Sequence, residues 1–147
     1  MYAPAVIRID ETVDVGATPE AAFAFVSRIE ACPAWLPGVV RAEPGADGEI
    51  RLALAGPGGM VVEARGRITV SDPPRSISIT AASGLFQIVA TCTAEPLGEA
   101  GSRIRVQANV EPRGVATLAA GRIERELRAA VPDTLRRLRT ALEAPQP

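Results

Sequence analysis

Apolar and polar residues alternate along most of the chain, with the two-residue period of β-strands. In the first such segment, residues 5–15, one parity is apolar except for Glu11, and it carries Ile7, Ile9, Val13 and Val15. Six later segments have strand-like patterns and are separated by short turns: 39–43, 49–55, 60–70, 75–81, 86–94 and 103–110. Because short turns join neighbouring strands, the pattern predicts one antiparallel sheet of about six to seven strands.

Two segments have the period of helices instead. Residues 19–29 follow Thr18, a favourable N-cap residue, and begin with Pro19, which suits the first helical position. From about residue 115 to 144, apolar residues recur every three or four positions. Pro132 lies inside this second helix and is expected to kink it. The predicted fold class is therefore α+β, with the long C-terminal helix covering the apolar face of the sheet.

A proline-rich corner joins the first helix to the second strand. Its sequence is SRIEACPAWLPGVV, residues 27–40, and it holds the single tryptophan of the chain, Trp35, between Pro33 and Pro37. Aromatic residues make up only 3% of the sequence. Trp35 is therefore expected either to plug the core or to form one wall of a pocket, and the residues alone leave both interpretations open.

The composition narrows the function classes. The chain has 147 residues, a length that favours a single domain over 1–147. Its net charge is −1, and no basic stripe is interleaved with aromatics, so no nucleic-acid partner is expected. The absence of histidine excludes a histidine-based metal site and a Ser-His-Asp triad. The two cysteines, Cys32 and Cys92, have no metal-binding spacing, so we expect neither a metal nor a cofactor.

The distribution of apolar and charged residues also gives expectations about the location and assembly of the protein. No apolar run approaches the roughly 18 residues of a membrane span. The start of the chain lacks the basic and apolar regions of a signal peptide, so a cytoplasmic protein is expected, with no integral membrane segment. The sequence leaves a monomer and a homodimer equally open.

Five motifs in this order resemble the START-like superfamily, also called SRPBCC, and more closely its polyketide cyclase/dehydrase and lipid-transport branch. They are VDVGATPEAAFAFVS at 13–27, PAWLPGVV at 33–40, RITVSDPPRSISI at 67–79, EPLGEAGSRIRV at 95–106 and LRRLRTALE at 135–143. The resemblance covers nearly the whole chain. It implies a helix-grip fold, in which the sheet wraps around the long helix and two short helices follow the first strand. It also implies a cavity between sheet and helix for a hydrophobic or amphipathic small molecule.

Two groups of charged residues are candidates for chemistry. Glu11 shares the parity of apolar residues and is expected to point inward, where an ionised carboxylate is costly and a carboxylic acid can serve as general acid or base. A rim position or a bulge is the alternative. Arg122 and Glu126 lie one helical turn apart, a spacing typical of a solvated ion pair. The resemblance places them near the cavity, where Arg122 can hold a polar ligand head and Glu126 can act as a catalytic carboxylate.

Small residues predict space for a ligand. Ala64, Gly66, Ala90, Ala94 and Ala108 have inward parity and face a helix start that is rich in alanine. Small residues on both sides leave volume, unless the helix packs closely on the sheet. The residues expected to contact a ligand are Trp35, Ala64, Phe86, Ala108, Leu118 and Arg122.

Three functions remain open at this point. The first is binding or carriage of a hydrophobic small molecule, such as a lipid, a quinone or a polyketide-like compound. The second is a polyketide cyclase, aromatase or dehydratase that uses Glu11 or Glu126 as acid or base. The third is an interaction module with a filled core.

Overall fold

A computed structural model describes residues 6–36, 38–55 and 59–144. The described strands are β1 (Ile7–Val15), β2 (Val39–Pro44), β3 (Glu49–Ala55), β4 (Val61–Asp72), β5 (Ser76–Ala82), β6 (Phe86–Leu97) and β7 (Gly101–Pro112). The described α-helices are α1 (Pro19–Val26), α2 (Cys32–Trp35) and α3 (Ala120–Glu143). Short 3₁₀ segments at Ile29–Ala31, Ala46–Gly48 and Gly114–Ala119 precede α2, β3 and α3. The predicted strands and the two short helices after β1 are confirmed.

The strands form one antiparallel sheet in the order β1-β7-β6-β5-β4-β3-β2. Every neighbouring pair is antiparallel, so β1 and β2 are the edges. With a long helix on one face and short helices after the first strand, this is the predicted helix-grip fold.

The two faces of the sheet differ in chemistry. The outer face is polar: Arg105 pairs with Asp10 at 2.6 Å and Arg103 pairs with Asp14 at 2.8 Å across β1 and β7. The hydrogen bond from Arg105 holds the pKa of Asp10 below its usual value. The opposite face, which we call the inner face, carries the apolar parity of each strand and packs on the helices. Residues buried on it include Ile7, Val15, Ile77 and Ile104.

Helix α1 begins as the sequence predicts. The Thr18 hydroxyl accepts a hydrogen bond from the Ala21 N–H at 3.2 Å, and Pro19 occupies the first turn. Ala22 and Val26 on this helix are buried against the sheet. The N-cap and the proline therefore fix where the chain turns from β1 into the helix.

Two buried clusters hold the helices to the inner face. The first joins α1, Trp35 and Leu138 of α3 to β1, β5, β6 and β7. The second joins the 3₁₀ segment Ile29–Ala31 and Cys32 to β2 and β3 through Ala42 and Ile50. Both clusters lie around the corner that follows β1, so the corner anchors the helical layer.

Helix α3 is tied to β1 at two points. The Arg128 side chain donates to the backbone carbonyl of Arg8 at 3.1 Å. Fifteen residues further on, the Glu143 carboxylate accepts from the Gly16 N–H at 2.8 Å. The helix continues through Pro132 without interruption, and the predicted kink stays a prediction. The two contacts fix α3 along the edge strand.

Gly66 is needed for close strand packing, which differs from its expected role in leaving space. A Cβ placed on Gly66 would lie 2.1 Å from the carbonyl oxygen of Thr80 and 2.9 Å from the Cα of Ala81. Since both atoms belong to the backbone of β5, they cannot move aside without separating the strands. Gly66 therefore allows β4 and β5 to approach.

We expect Gly66→Ala to lower the free energy of unfolding by about 1–3 kcal/mol, because overpacking forces the strands apart. Urea denaturation followed by circular dichroism measures this change. Gly84→Ala is the matched control, since a Cβ there has open space, and it should leave the stability almost unchanged. Equal effects of the two substitutions would contradict the close approach of β4 and β5.

Candidate functional site

Part of the inner face is not covered by either buried cluster. Besides Phe86 at the start of β6, five half-buried apolar residues of β1, β6 and β7 belong to neither: Ile9, Ile88, Ala90, Ala108 and Val110. The strand register places them side by side, with Ile9 opposite Ala108, Ala108 opposite Ala90, and Val110 opposite Ile88. We call these five residues the floor.

The floor spans three adjacent strands on the inner face, with one residue from β1 and two each from β6 and β7. With strands about 4.8 Å apart and same-face residues about 7 Å apart, its Cα atoms cover about 10 Å by 7 Å. None of its side chains is polar. Its shape and chemistry suit one face of a small apolar molecule.

Exposed apolar residues lie at one end of the sheet, where β7 ends and β4 begins. Val115 and Leu118, in the 3₁₀ segment after β7, are 74% and 91% exposed. Met60, Val61 and Val40 are also exposed there. Five exposed large apolar side chains at one end of a sheet form an unusually apolar surface for a folded domain. They mark this end as the open side of the floor.

The chain matches a known family over most of its length. Residues 6–143 match the sequence profile of the family described as polyketide cyclase / dehydrase and lipid transport. The chain belongs to this family. No curated protein matches it.

Solved structures share the fold of this family member at low sequence identity. A START superfamily protein from Mycobacterium smegmatis is 20% identical, with a TM-score of 0.69 over 92% of this chain and 97% of that chain. An aromatase/cyclase from a Streptomyces species is 16% identical, with a TM-score of 0.71 over 95% and 98%. Norcoclaurine synthase from Thalictrum flavum is 13% identical, with a TM-score of 0.68 over 99% of both chains.

The structure places only part of the predicted ligand-binding set at the floor. Ala108 is central to it, and Phe86 borders it, because Phe86 lies two residues from Ile88 on β6 and is half-buried. Ala64 is buried on β4 opposite Leu52, outside the floor. Leu118 faces solvent and does not contact the floor. Of the small residues expected to leave space, Ala90 and Ala108 are half-buried, whereas Ala64 and Ala94 are buried.

Glu11 lies beside the floor but is exposed. It stands opposite Val106 on the inner face, between Ile9 and Val13. Within the described residues no basic side chain forms an ion pair with it. The expectation that this carboxylate is buried is wrong, because the middle of the edge strand β1 is open to water. The structure places Glu11 at the rim of the floor, which is the alternative interpretation of its parity.

Arg122 and Glu126 form the predicted ion pair on the solvated side of α3. The Arg122 Nε lies 3.0 Å from the Glu126 Oε1, and the side chains are 72% and 65% exposed. Such a pair is screened by water and contributes little to stability. This arrangement favours the solvated-pair interpretation, and the structure does not bring either side chain to the floor.

Trp35 is a core residue. Its side chain is only 5% exposed and packs in the first buried cluster with Ile77, Ile104 and Leu138. The plug interpretation is therefore supported, and stacking at an open mouth is not. Its indole N–H has no acceptor among the described residues.

Burial makes the thiols of both cysteines poor nucleophiles. Cys32 is buried, and burial together with the Glu30 charge raises its pKa to about 11. Burial raises the pKa of the half-buried Cys92 to about 12. A thiol must be deprotonated to act as a nucleophile, so neither cysteine is a catalyst near neutral pH.

The described residues contain no group of three or more acidic or cysteine side chains arranged to hold a metal ion. Within the same ranges, no helix is long and apolar enough to cross a membrane. Two open depressions of about 260 and 250 Å³ are lined mainly by outward-facing residues, and the lining of the second also includes Ile9 and Ala108. The floor is the more suitable site for an apolar molecule.

Three floor residues, Ile9, Ile88 and Val110, are not among the residues that the sequence predicts to contact a ligand. Their inward parity is visible in the sequence, but the same parity is shared by residues that the helices cover. Only the position of α3 separates covered from uncovered residues.

The alkaline pH dependence of stability should come mainly from the two thiols, because all 16 basic side chains are arginine and the chain has one tyrosine. Above the unfolded thiol pKa of about 9, the unfolded state loses protons that the folded state keeps. The free energy of unfolding should therefore fall as the pH rises above 9, by at most about 1.4 kcal/mol per pH unit for each thiol.

Urea denaturation at pH 8, 9 and 10 checks this dependence. The variant Cys92→Ala should lose less stability than the wild type over the same range. A wild-type stability that is constant from pH 8 to 10 would contradict the raised thiol pKa values.

Proposed function

We propose that this protein binds a hydrophobic or amphipathic small molecule, of the lipid, quinone or polyketide type, on the floor beneath α3. The observation that supports the proposal is a group of apolar side chains on the inner face that the protein's own helices leave half-exposed. Such surface stays in contact with water unless a ligand covers it. Covering each 100 Å² of apolar surface on either partner gives about 2.5 kcal/mol.

An amphipathic ligand fits this arrangement better than a purely apolar one. The floor is apolar, whereas Glu11 lies at its edge, and the Arg122–Glu126 pair is solvated near the start of α3. A ligand with an apolar body on the floor leaves its polar end in water near these groups. Leu118 contacts such a ligand only if the 3₁₀ segment Gly114–Ala119 moves toward the floor.

Filling the floor tests the proposal directly. In Ala108→Leu the added side chain occupies the space of the ligand, so the affinity for the fluorescent probe 1-anilinonaphthalene-8-sulfonate should fall at least about tenfold. The free energy of unfolding should stay the same or rise, because the leucine fills open space. Probe titration and urea denaturation measure the two quantities.

Ala82→Leu is the control, since Ala82 is exposed on β5 outside the floor, and its probe affinity should equal that of the wild type. If the core were filled, Ala108→Leu would instead overpack it and lower the stability by about 1–3 kcal/mol. That result, without probe binding by the wild type, would support an interaction module.

A cyclase or dehydratase is the second candidate, and the position of Glu11 is the observation that favours it. A carboxylate at the edge of an apolar surface can remove a proton from a carbon next to a carbonyl group while the substrate body is held on the floor. In this role Glu11 would act first as a base. Glu126, which is bound to Arg122 in solvent, lies less favourably for this role.

The enzyme hypothesis predicts that Glu11→Gln abolishes turnover of a linear poly-β-ketone thioester but preserves binding of the fluorescent probe. Loss of water from the substrate, detected by mass spectrometry, measures turnover. Glu95→Gln on β6 is a suitable control, since Glu95 has outward parity. Equal turnover by Glu11→Gln and wild type would remove Glu11 from the mechanism.

A further inference from the structure

The indole N–H of Trp35 is the one buried side-chain polar atom of the described residues that has no hydrogen-bond partner there. Trp35 is 5% exposed, so bulk water does not satisfy it. An indole nitrogen donates only, and a buried donor without an acceptor lowers the folding equilibrium roughly 5- to 150-fold. An acceptor supplied by another molecule would remove this cost.

The cluster around Trp35 borders the floor. Cys92 and Val106 pack against this cluster while remaining half-buried. They lie two residues from Ala90 and Ala108, on the same strands and the same face. A molecule that lies on the floor and extends along β6 and β7 therefore reaches residues that pack against the cluster to which Trp35 belongs.

The surroundings limit what such a molecule can present. The cluster is made of hydrophobic residues such as Ile77 and Leu138, and the buried polar side chain opposite its member Val15, Ser102, already donates to the Ala17 carbonyl. A charged group would be costly there, whereas a neutral oxygen could accept one hydrogen bond. A carbonyl or hydroxyl oxygen on an otherwise apolar body meets both conditions.

We propose that the Trp35 indole N–H donates a hydrogen bond to a neutral oxygen acceptor at the inner end of the bound ligand. Trp35 then selects oxygenated over purely hydrocarbon ligands. This inference rests on the proposed binding function, and it assigns to the core tryptophan a role in specificity.

A matched pair of probes tests the inference in the wild-type protein. Fluorene and 9-fluorenone have the same tricyclic shape, but only fluorenone carries a carbonyl oxygen. Because the chain has a single tryptophan, its ¹⁵N-labelled form gives one indole N–H resonance. This resonance should move downfield with fluorenone and much less with fluorene, since the two rings have similar shielding effects.

The variant Trp35→Phe gives a second measurement. It removes the donor and keeps an aromatic ring, so the ratio of fluorenone to fluorene affinity should fall about three- to tenfold relative to the wild type. Ala108→Leu is the control, since it keeps the donor and should weaken both probes alike.

The possible outcomes separate the two proposals. If both probes bind and the indole resonance responds equally to them, the Trp35 inference is overturned and the binding function stands. An internal water that keeps the indole occupied would give that result. If neither probe binds the wild type, the proposed function fails and the inference fails with it.

Discussion

Helix α3 lies along the edge strand β1, and its fixed position determines which part of the sheet is covered. Arg128 and Glu143 hold the helix to the backbone of β1 at two points, and Leu138 packs into the buried cluster between them. A helix about 10 Å wide cannot cover seven strands that are each about 4.8 Å apart. The short helices after β1 cover another part of the inner face. The five floor residues stay half-buried, so the proposed site depends on how the helices are anchored.

The division between the two faces supports this interpretation. The outer face pairs acidic and basic side chains across β1 and β7, and it needs no cover. The inner face is mostly apolar, with Glu11 and Ser102 as polar exceptions on β1 and β7, and apolar surface is costly wherever it meets water. A protein under selection for stability alone would place larger residues at Ala90 and Ala108. Small residues at these positions are consistent with a surface kept open for another molecule.

The sequence predicts the fold well because each local pattern agrees with the others. The alternation in β1, the Thr18 N-cap and the period of α3 all depend on neighbouring residues, and the structure confirms them. The site is less predictable, because it depends on which residues of the inner face are covered by the helices. Glu11 has inward parity but is exposed at the edge strand, Gly66 serves a close backbone approach, and Leu118 faces solvent on a segment that only tertiary structure places. The sequence is equally consistent with Trp35 as a core plug and as a pocket wall, and the burial of its side chain supports the plug.

The location of a bound apolar probe is the most direct test of binding at the floor. Nuclear Overhauser effects between unlabelled fluorene and the ¹³C-labelled methyl groups of the protein report which side chains lie near the probe. The floor predicts contacts to the methyl groups of Ile9, Ile88 and Val110. Val89 lies between two floor residues on β6 but has outward parity, so it should show none. Contacts to Val89 without contacts to Ile88 would place the probe on the outer face and contradict the account.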